Sequence, residues 1–147
     1  MNQLLPWNEL IPKTKLSKKK LESSFWKQLS RAIKKHRPNW KPIRLESSVT
    51  PGLPDVLVAA NGSFGMWELK VCTANAVRLS PHQISFAETH KEYPVWVLVC
   101  AATNDGEAIY AYPASSVSEL SRLGLKHPPV LKITPPDWLP LLDLICP

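Results

Sequence analysis

Asp55, Glu68 and Lys70 are two carboxylates and an amine that the chain between them brings within reach of one another. Asn61-Gly62 separates two apolar runs, DVLVAA (55–60) and FGMWELKV (64–71), and Asn-Gly in that setting is the strongest short-range signal for a two-residue type I′ hairpin. With Asn61 and Gly62 as the loop, Ala60 faces Ser63, Val58 faces Gly65, and Asp55 faces Glu68. Directly opposed residues share a sheet face with Cβ atoms roughly 4.5–5.5 Å apart, and strand alternation puts Lys70 on that face too. Like charges opposed in a sheet are destabilising unless something compensates. A divalent cation is the obvious compensation: Mg²⁺ binds through one or two carboxylates and completes its shell with waters and phosphate oxygens. Lys70 is then placed to contact a phosphate or an attacking water. The competing reading is a surface Glu–Lys pair beside an unrelated Asp. Against it, an acid at the head of an otherwise apolar strand is an odd place for surface decoration.

Glu22 adds a third carboxylate. Leu21, Phe25, Trp26, Leu29, Ala32 and Ile33 recur at helical spacing, and Glu22 falls inside that stripe. A carboxylate facing a core is costly unless paired or metal-bound; the alternative is a side chain reaching water from the helix end. The helix itself is predicted from a Ser17 cap to about Arg37, stopped by Pro38. It lies in a basic block. Residues 12–44 hold 12 of the 18 Lys/Arg and one of the 12 acids, a net +11 against −5 for the remainder. Such density suits a polyanion, nucleic acid above all. Lys18, Lys19 and Lys20 occupy the first helical turn, where cations oppose the macrodipole. With Lys27, Arg31, Lys34 and Lys35 they are the candidate DNA-binding residues.

The elements that position these groups read in order α-β-β-β-α-β-β-α, an α/β domain around a mixed sheet flanked by helices. A weak strand over 40–48 carries Pro42, which implies an edge position or a late start. Strands 55–60 and 64–71 follow. Ser80-Pro81-His82-Gln83 opens a helix to about Lys91, with Ser80 as N-cap and Pro81 in the first turn. PVWVLVCAA (94–102) is apolar on both faces and predicts a central strand. EAIYAY (107–112) is a further strand, and 114–123 a helix stopped by Gly124. A proline-rich tail leads to a short segment around Trp138–Ile145. Residues 1–16 read as an arm, and 17–147 as one domain.

Gly52-Leu53-Pro54-Asp55, twelve intervening residues, then Glu68-Leu69-Lys70 resembles the PD-(D/E)XK nuclease superfamily, in particular its VRR-NUC branch and the Holliday junction resolvases of archaea and phages. The basic helix with Glu22 and the Ser80–Gln83 segment resemble the superfamily's first and last motifs, so the likeness covers roughly residues 18–101. It implies a restriction-endonuclease-like αβββαβ core. It also implies Asp55 and Glu68 as Mg²⁺ ligands (Mn²⁺ substituting), with the Leu69 carbonyl as a third. Lys70 would orient the water or steady the transition state, and Glu22 would be a second-sphere or second-metal acid. Gln83 matches the motif glutamine, but Ser80-x-x-Gln83 is equally a capping box; both readings stand. Ser47 and Ser48 loosely resemble a serine that some resolvases place near the site.

The resulting expectation is a metal-dependent, structure-selective DNA endonuclease, most simply a resolvase of four-way junctions acting as a homodimer, with Trp7 and Trp138 in terminal segments free to dock on a partner. A general or repair-type nuclease and a non-cleaving nucleic-acid-binding module are the alternatives. Cys72, Cys100 and Cys146 form no CxxC pair and are expected as reduced, buried thiols. No run of 18 apolar residues and no secretory segment appears, which predicts a cytoplasmic protein without membrane contact.

Overall fold

The Asn61-Gly62 turn organises the sheet. In the computed structural model, which describes residues 18–46, 49–103 and 106–147, Asn61 has φ 53° and Gly62 φ 77°, the two left-handed residues a type I′ loop requires. They join β2 (Val56–Ala60) to β3 (Ser63–Cys72) with Ala60 opposite Ser63, Val58 opposite Gly65 and Val56 opposite Trp67. That is the register read from the sequence. β1 (Lys41–Arg44) pairs antiparallel with β2 and forms one edge of the sheet, where Pro42 costs no interior hydrogen bond. It is four residues long, shorter than the expected 40–48. Ser47 and Ser48 lie outside the described residues, as do the 1–16 arm, with Trp7, and the Ser17 cap.

From β3 the chain crosses over through α2 (Pro81–Thr89) to β4 (Val95–Thr103), parallel to β3, and returns antiparallel as β5 (Gly106–Pro113). The apolar run 94–102 is thus central, as its two-faced hydrophobicity predicts. α2 stops two residues before the expected Lys91. There the His90 N–H turns to the Phe86 and Ala87 carbonyls, and the Thr89 hydroxyl donates to the Ser85 and Phe86 carbonyls. The sheet is mixed, in the order β1 to β6.

Two layers cover it. α1 (Lys18–His36) and α4 (Leu139–Ile145) pack Phe25, Leu29, Ile33, Leu141 and Ile145 on the face that carries Val56, Val58, Trp67 and Leu69. α2 and α3 (Val117–Leu123) pack Ala87, Val117 and Leu120 on the other face, against Val97, Val99 and Tyr112. The described residues therefore form a single α/β domain, with six strands and four α-helices.

The tail departs from expectation. Leu131–Ile133 forms β6, added antiparallel to β5 at the far edge. Trp138 is 1 % exposed in the core beneath α4, so it is not free to dock on a partner: the apolar tail completes the chain's own core. The thiols differ as well. None of the three forms a disulfide, but only Cys100 is buried, while Cys72 and Cys146 are half-buried. Among the described residues, no helix is long and apolar enough to cross a membrane.

Candidate active site

β3 positions the centre of the site. Glu68 and Lys70 alternate with Trp67 and Leu69, so they point to the α2 side while the apolar pair points to α1. Asp55 stands one residue before β2, where continuing the ladder sets it against Glu68. Its Oδ2 accepts the Leu69 N–H at 2.8 Å, and its own carbonyl accepts the Leu45 N–H at 2.6 Å. The carboxylate is thus tied to the backbone of β3 between Glu68 and Lys70. An extended residue directs its N–H and C=O to the same side of the strand, so the Leu69 carbonyl also faces the Asp55 side.

Glu68 is 5 % exposed and Lys70 9 %. The Lys70 ammonium lies 3.7 Å from Glu68 Oε1, and Gln83 Nε2 donates to the same oxygen at 2.6 Å. Glu68 Oε2 is buried, and the Asp55 carboxyl can partner it only while one of the two carries a proton. Burial first, and the Asp55 charge second, push the Glu68 carboxyl from 4.5 to about 8; Lys70 pulls it down and the Glu22 charge adds to the rise. Burial also raises Asp55, opposed by the Leu69 N–H and the charges of Arg44 and Lys70. One proton between the two carboxyls therefore sits on Glu68, where it can be donated to Asp55; with both ionised, Oε2 has no donor.

Gln83 closes the capping box and contacts Glu68 at once. Its Oε1 accepts the Ser80 N–H at 2.9 Å, its N–H donates to Ser80 Oγ at 3.1 Å, and its Nε2 remains free for Glu68. The cap fixes which end of the amide faces the carboxylate, so the capping box and the Glu68 contact are one arrangement. Gly52 sets the distance between the loop before Asp55 and the start of α2: its φ is +84°, and a Cβ there would lie 2.3 Å from the His82 carbonyl oxygen.

Glu22 is half-buried on α1 and reaches the cluster through its charge on Glu68. It does not make a third carboxylate beside Asp55 and Glu68, since among the described residues no three His, Cys, Asp or Glu side chains come close enough to hold one metal ion. The expected set of two carboxylates and a carbonyl does not need it. Lys20, Lys27, Arg31, Lys34 and Lys35 are exposed along α1; the side chains of Lys18 and Lys19 lie outside the described residues. The basic helix covers the sheet face opposite the carboxylates, and only its first turn reaches their end of the sheet. There Leu21 lines a cleft with Val71, Thr73 and Arg78. Lys35, fourteen residues on from Leu21, stands about 21 Å further along the axis. Sequence reasoning passed over two guanidinium groups here: Arg44, whose charge acts on Asp55, and the exposed Arg78. Neither belongs to a short motif; pairing of β1 with β2 and the path of the β3–α2 loop bring them in.

No protein-family model matches the chain, and no curated protein matches it.

Proposed function

We propose that the protein is a metal-dependent, structure-selective DNA endonuclease that cleaves phosphodiester bonds of branched DNA, with four-way junctions as the preferred substrate. The observation that carries this reading is the opposed pair of half-buried Asp55 and buried Glu68, with Glu68 Oε2 lacking a donor and the Lys70 ammonium 3.7 Å from Glu68 Oε1. Ionised together, the two carboxylates beside one amine carry a net negative charge, which near neutral pH a proton on Glu68 offsets and which a bound cation would offset in its place. A divalent cation fits that charge and that donor chemistry. Asp55, Glu68 and the Leu69 carbonyl would hold Mg²⁺, or Mn²⁺ in its place. When bound, the metal polarises the phosphate and lowers the pKa of a water for in-line attack.

The chain's own groups do the rest. Lys70 offsets charge on the phosphate and holds the attacking water. Gln83 fixes the Glu68 carboxylate so that one oxygen is engaged and the other left for the metal. Glu22 adds negative charge from the α1 side. Lys20, Arg44 and Arg78 meet phosphates next to the cut, and Lys27, Arg31, Lys34 and Lys35 meet a more distant duplex arm, so binding weakens with salt by about −0.9 in log–log slope per phosphate contact. Resolving a junction takes two symmetric nicks, which a two-fold homodimer supplies.

Incubation with Mg²⁺ and labelled four-way, flap, nicked and linear DNAs tests the proposal. Paired nicks at junctions, and sedimentation at twice the 16.5 kDa chain mass, are expected. A monomer that cuts junctions no better than linear duplex points to a general or repair-type nuclease. Binding without cleavage in either metal points to a non-cleaving module.

A further inference from the structure

The sheet face that carries Asp55 and Glu68 continues past them into an open groove. Two residues along β2 from Asp55 is Leu57, and two residues back along β3 from Glu68 is Met66; the two are cross-strand partners. Both line a groove of about 480 Å³ together with Phe64, His90, Tyr93 and Pro94. Each carboxylate is thus about 6.6 Å along its strand from the groove floor. α2 begins over Glu68 with Gln83 and ends at the groove with Thr89, forming one wall of a trough that leads away from the site.

The groove exposes flat apolar surface. Phe64 is 64 % exposed, Tyr93 65 % and, beside Leu57 on β1, Ile43 55 %. Its aromatic wall is preset: His90 stacks on Phe86 at 3.9 Å, its Nδ1 lies 2.7 Å from the Phe86 carbonyl, and Tyr93 follows at 6.2 Å. Cations flank it. Lys41 is exposed on the sheet row that runs through Ala59 to Phe64. Exposed Lys91 adjoins His90 in the chain, against one acid, Glu92. Exposed rings, lysines beside them and direct continuity with two phosphate-facing carboxylates together match one ligand chemistry, a base on a charged backbone. A paired base has its faces covered by its neighbours; only an unpaired one can stack on a side chain.

We propose that this groove binds an unpaired nucleotide adjacent to the scissile phosphate, stacking its base between Phe64 and Tyr93. This rests on the nuclease reading for its geometry, and within that reading it favours a branch where a base leaves its pair, as at the opened centre of a four-way junction. The test is binding without metal, so that it is independent of cleavage. A short single-stranded DNA with one 2-aminopurine, and a duplex of the same length, are titrated against wild type, Phe64→Ala, Tyr93→Ala and the double variant. Both side chains are exposed, so thermal unfolding of the variants should match wild type. Wild type should shift the 2-aminopurine fluorescence, and each substitution should weaken single-strand binding about tenfold while duplex affinity changes less than twofold. Single-strand affinity unchanged in the double variant, or absent in wild type, overturns the proposal. So does conversion of a wild-type dimer to monomer in the double variant, which would make the groove a face between copies. Fluorescence that responds in a protein unable to cut any DNA keeps the groove and removes the nuclease reading.

Discussion

Alternate residues of β3 are buried to nearly the same degree in opposite chemistry. On the α1 side Trp67, Leu69 and Val71 are 0–5 % exposed within an apolar cluster; on the α2 side Glu68 and Lys70 are 5 % and 9 % exposed. The first set stabilises the fold at about 25 cal/mol per Å² of apolar surface removed from water. The second set opposes it, because the desolvation of an ion is rarely recovered by its partner. Burial alone therefore does not reveal a residue's role. The α1 face of the strand holds the sheet together, and the α2 face holds strain that a ligand can relieve. Substitutions on the α2 face should therefore move activity more than fold.

The largest effect expected is on cleavage. Glu68→Ala and Lys70→Ala should each lower the Mg²⁺-dependent cutting rate by at least about a hundredfold. DNA affinity should stay within several-fold, because Lys and Arg contacts to phosphate dominate it. Loss of binding together with cutting would erase the distinction between the faces and make both residues structural.

Next comes the pH dependence of stability without metal. The Glu68 carboxyl moves from 4.5 to about 8, so the folded state holds its proton more tightly than the unfolded state does. Between those values the unfolded chain binds fewer protons, and stability falls as pH rises. The stability is intact below about 4.5, and its loss is complete above about 8. With Glu68 only 5 % exposed, the change is on the order of a few kcal/mol. Urea unfolding at pH 5 and pH 8 should show this fall, and Glu68→Gln should flatten it. Asp55→Asn should raise the melting temperature at pH 8, and Mg²⁺ should stabilise wild type by mass action and Asp55→Asn much less. Equal metal stabilisation of both proteins removes Asp55 from the ligand set.

What was legible in the sequence follows the range of the forces involved. Asn61-Gly62 specifies a turn within two residues, and strand alternation then carries that register to Asp55, Glu68 and Lys70 without knowledge of the rest of the chain. Ser80-Pro81 marks the start of α2 just as locally. β6 was not legible: Leu131–Ile133 is three residues long and exists as a strand only through pairing with Ile109–Ala111. α4 has seven residues, too few to show a helical period, and Trp138 is buried by packing that the sequence does not display. The dual use of Gln83 was visible as two alternatives. Only the arrangement of α2 over β3 reveals that they are compatible.

A smaller effect tests how α2 is held against the carboxylate face. Gly52→Ala must strain a residue at φ +84° and push against the His82 carbonyl, at a cost of about 1–3 kcal/mol for the backbone alone. Gly62→Ala shares a positive φ of +77° but meets nothing within 4 Å. Denaturant unfolding should find Gly52→Ala the more destabilised of the two, and cleavage should fall in Gly52→Ala only. Equal losses in both variants would mean that the loop before Asp55 does not set the position of α2.

The smallest effect expected is from Ser80. Its hydroxyl caps the Gln83 N–H, and Ser80→Ala should cost about 1 kcal/mol of stability, as for other N-caps. If the cap were only a helix terminus, the change would end there, and Ser80→Asp, also a good cap, would restore everything. But the Ser80 N–H holds Gln83 Oε1, and that contact turns Nε2 toward Glu68 at 2.6 Å. Loosening the cap should therefore also lower Mn²⁺ affinity, read by isothermal titration with no DNA present. Ser80→Thr, which keeps the hydroxyl and adds no charge, should restore both stability and metal affinity. Ser80→Asp should restore stability while placing a further negative charge near the site, and its metal affinity should differ from wild type. Gln83→Ala should lose the metal effect of Ser80→Ala altogether, so that the two substitutions together weaken Mn²⁺ no more than Gln83→Ala alone. Additive losses would show that Ser80 and Gln83 act separately, and the capping box would then belong to the fold rather than to the site.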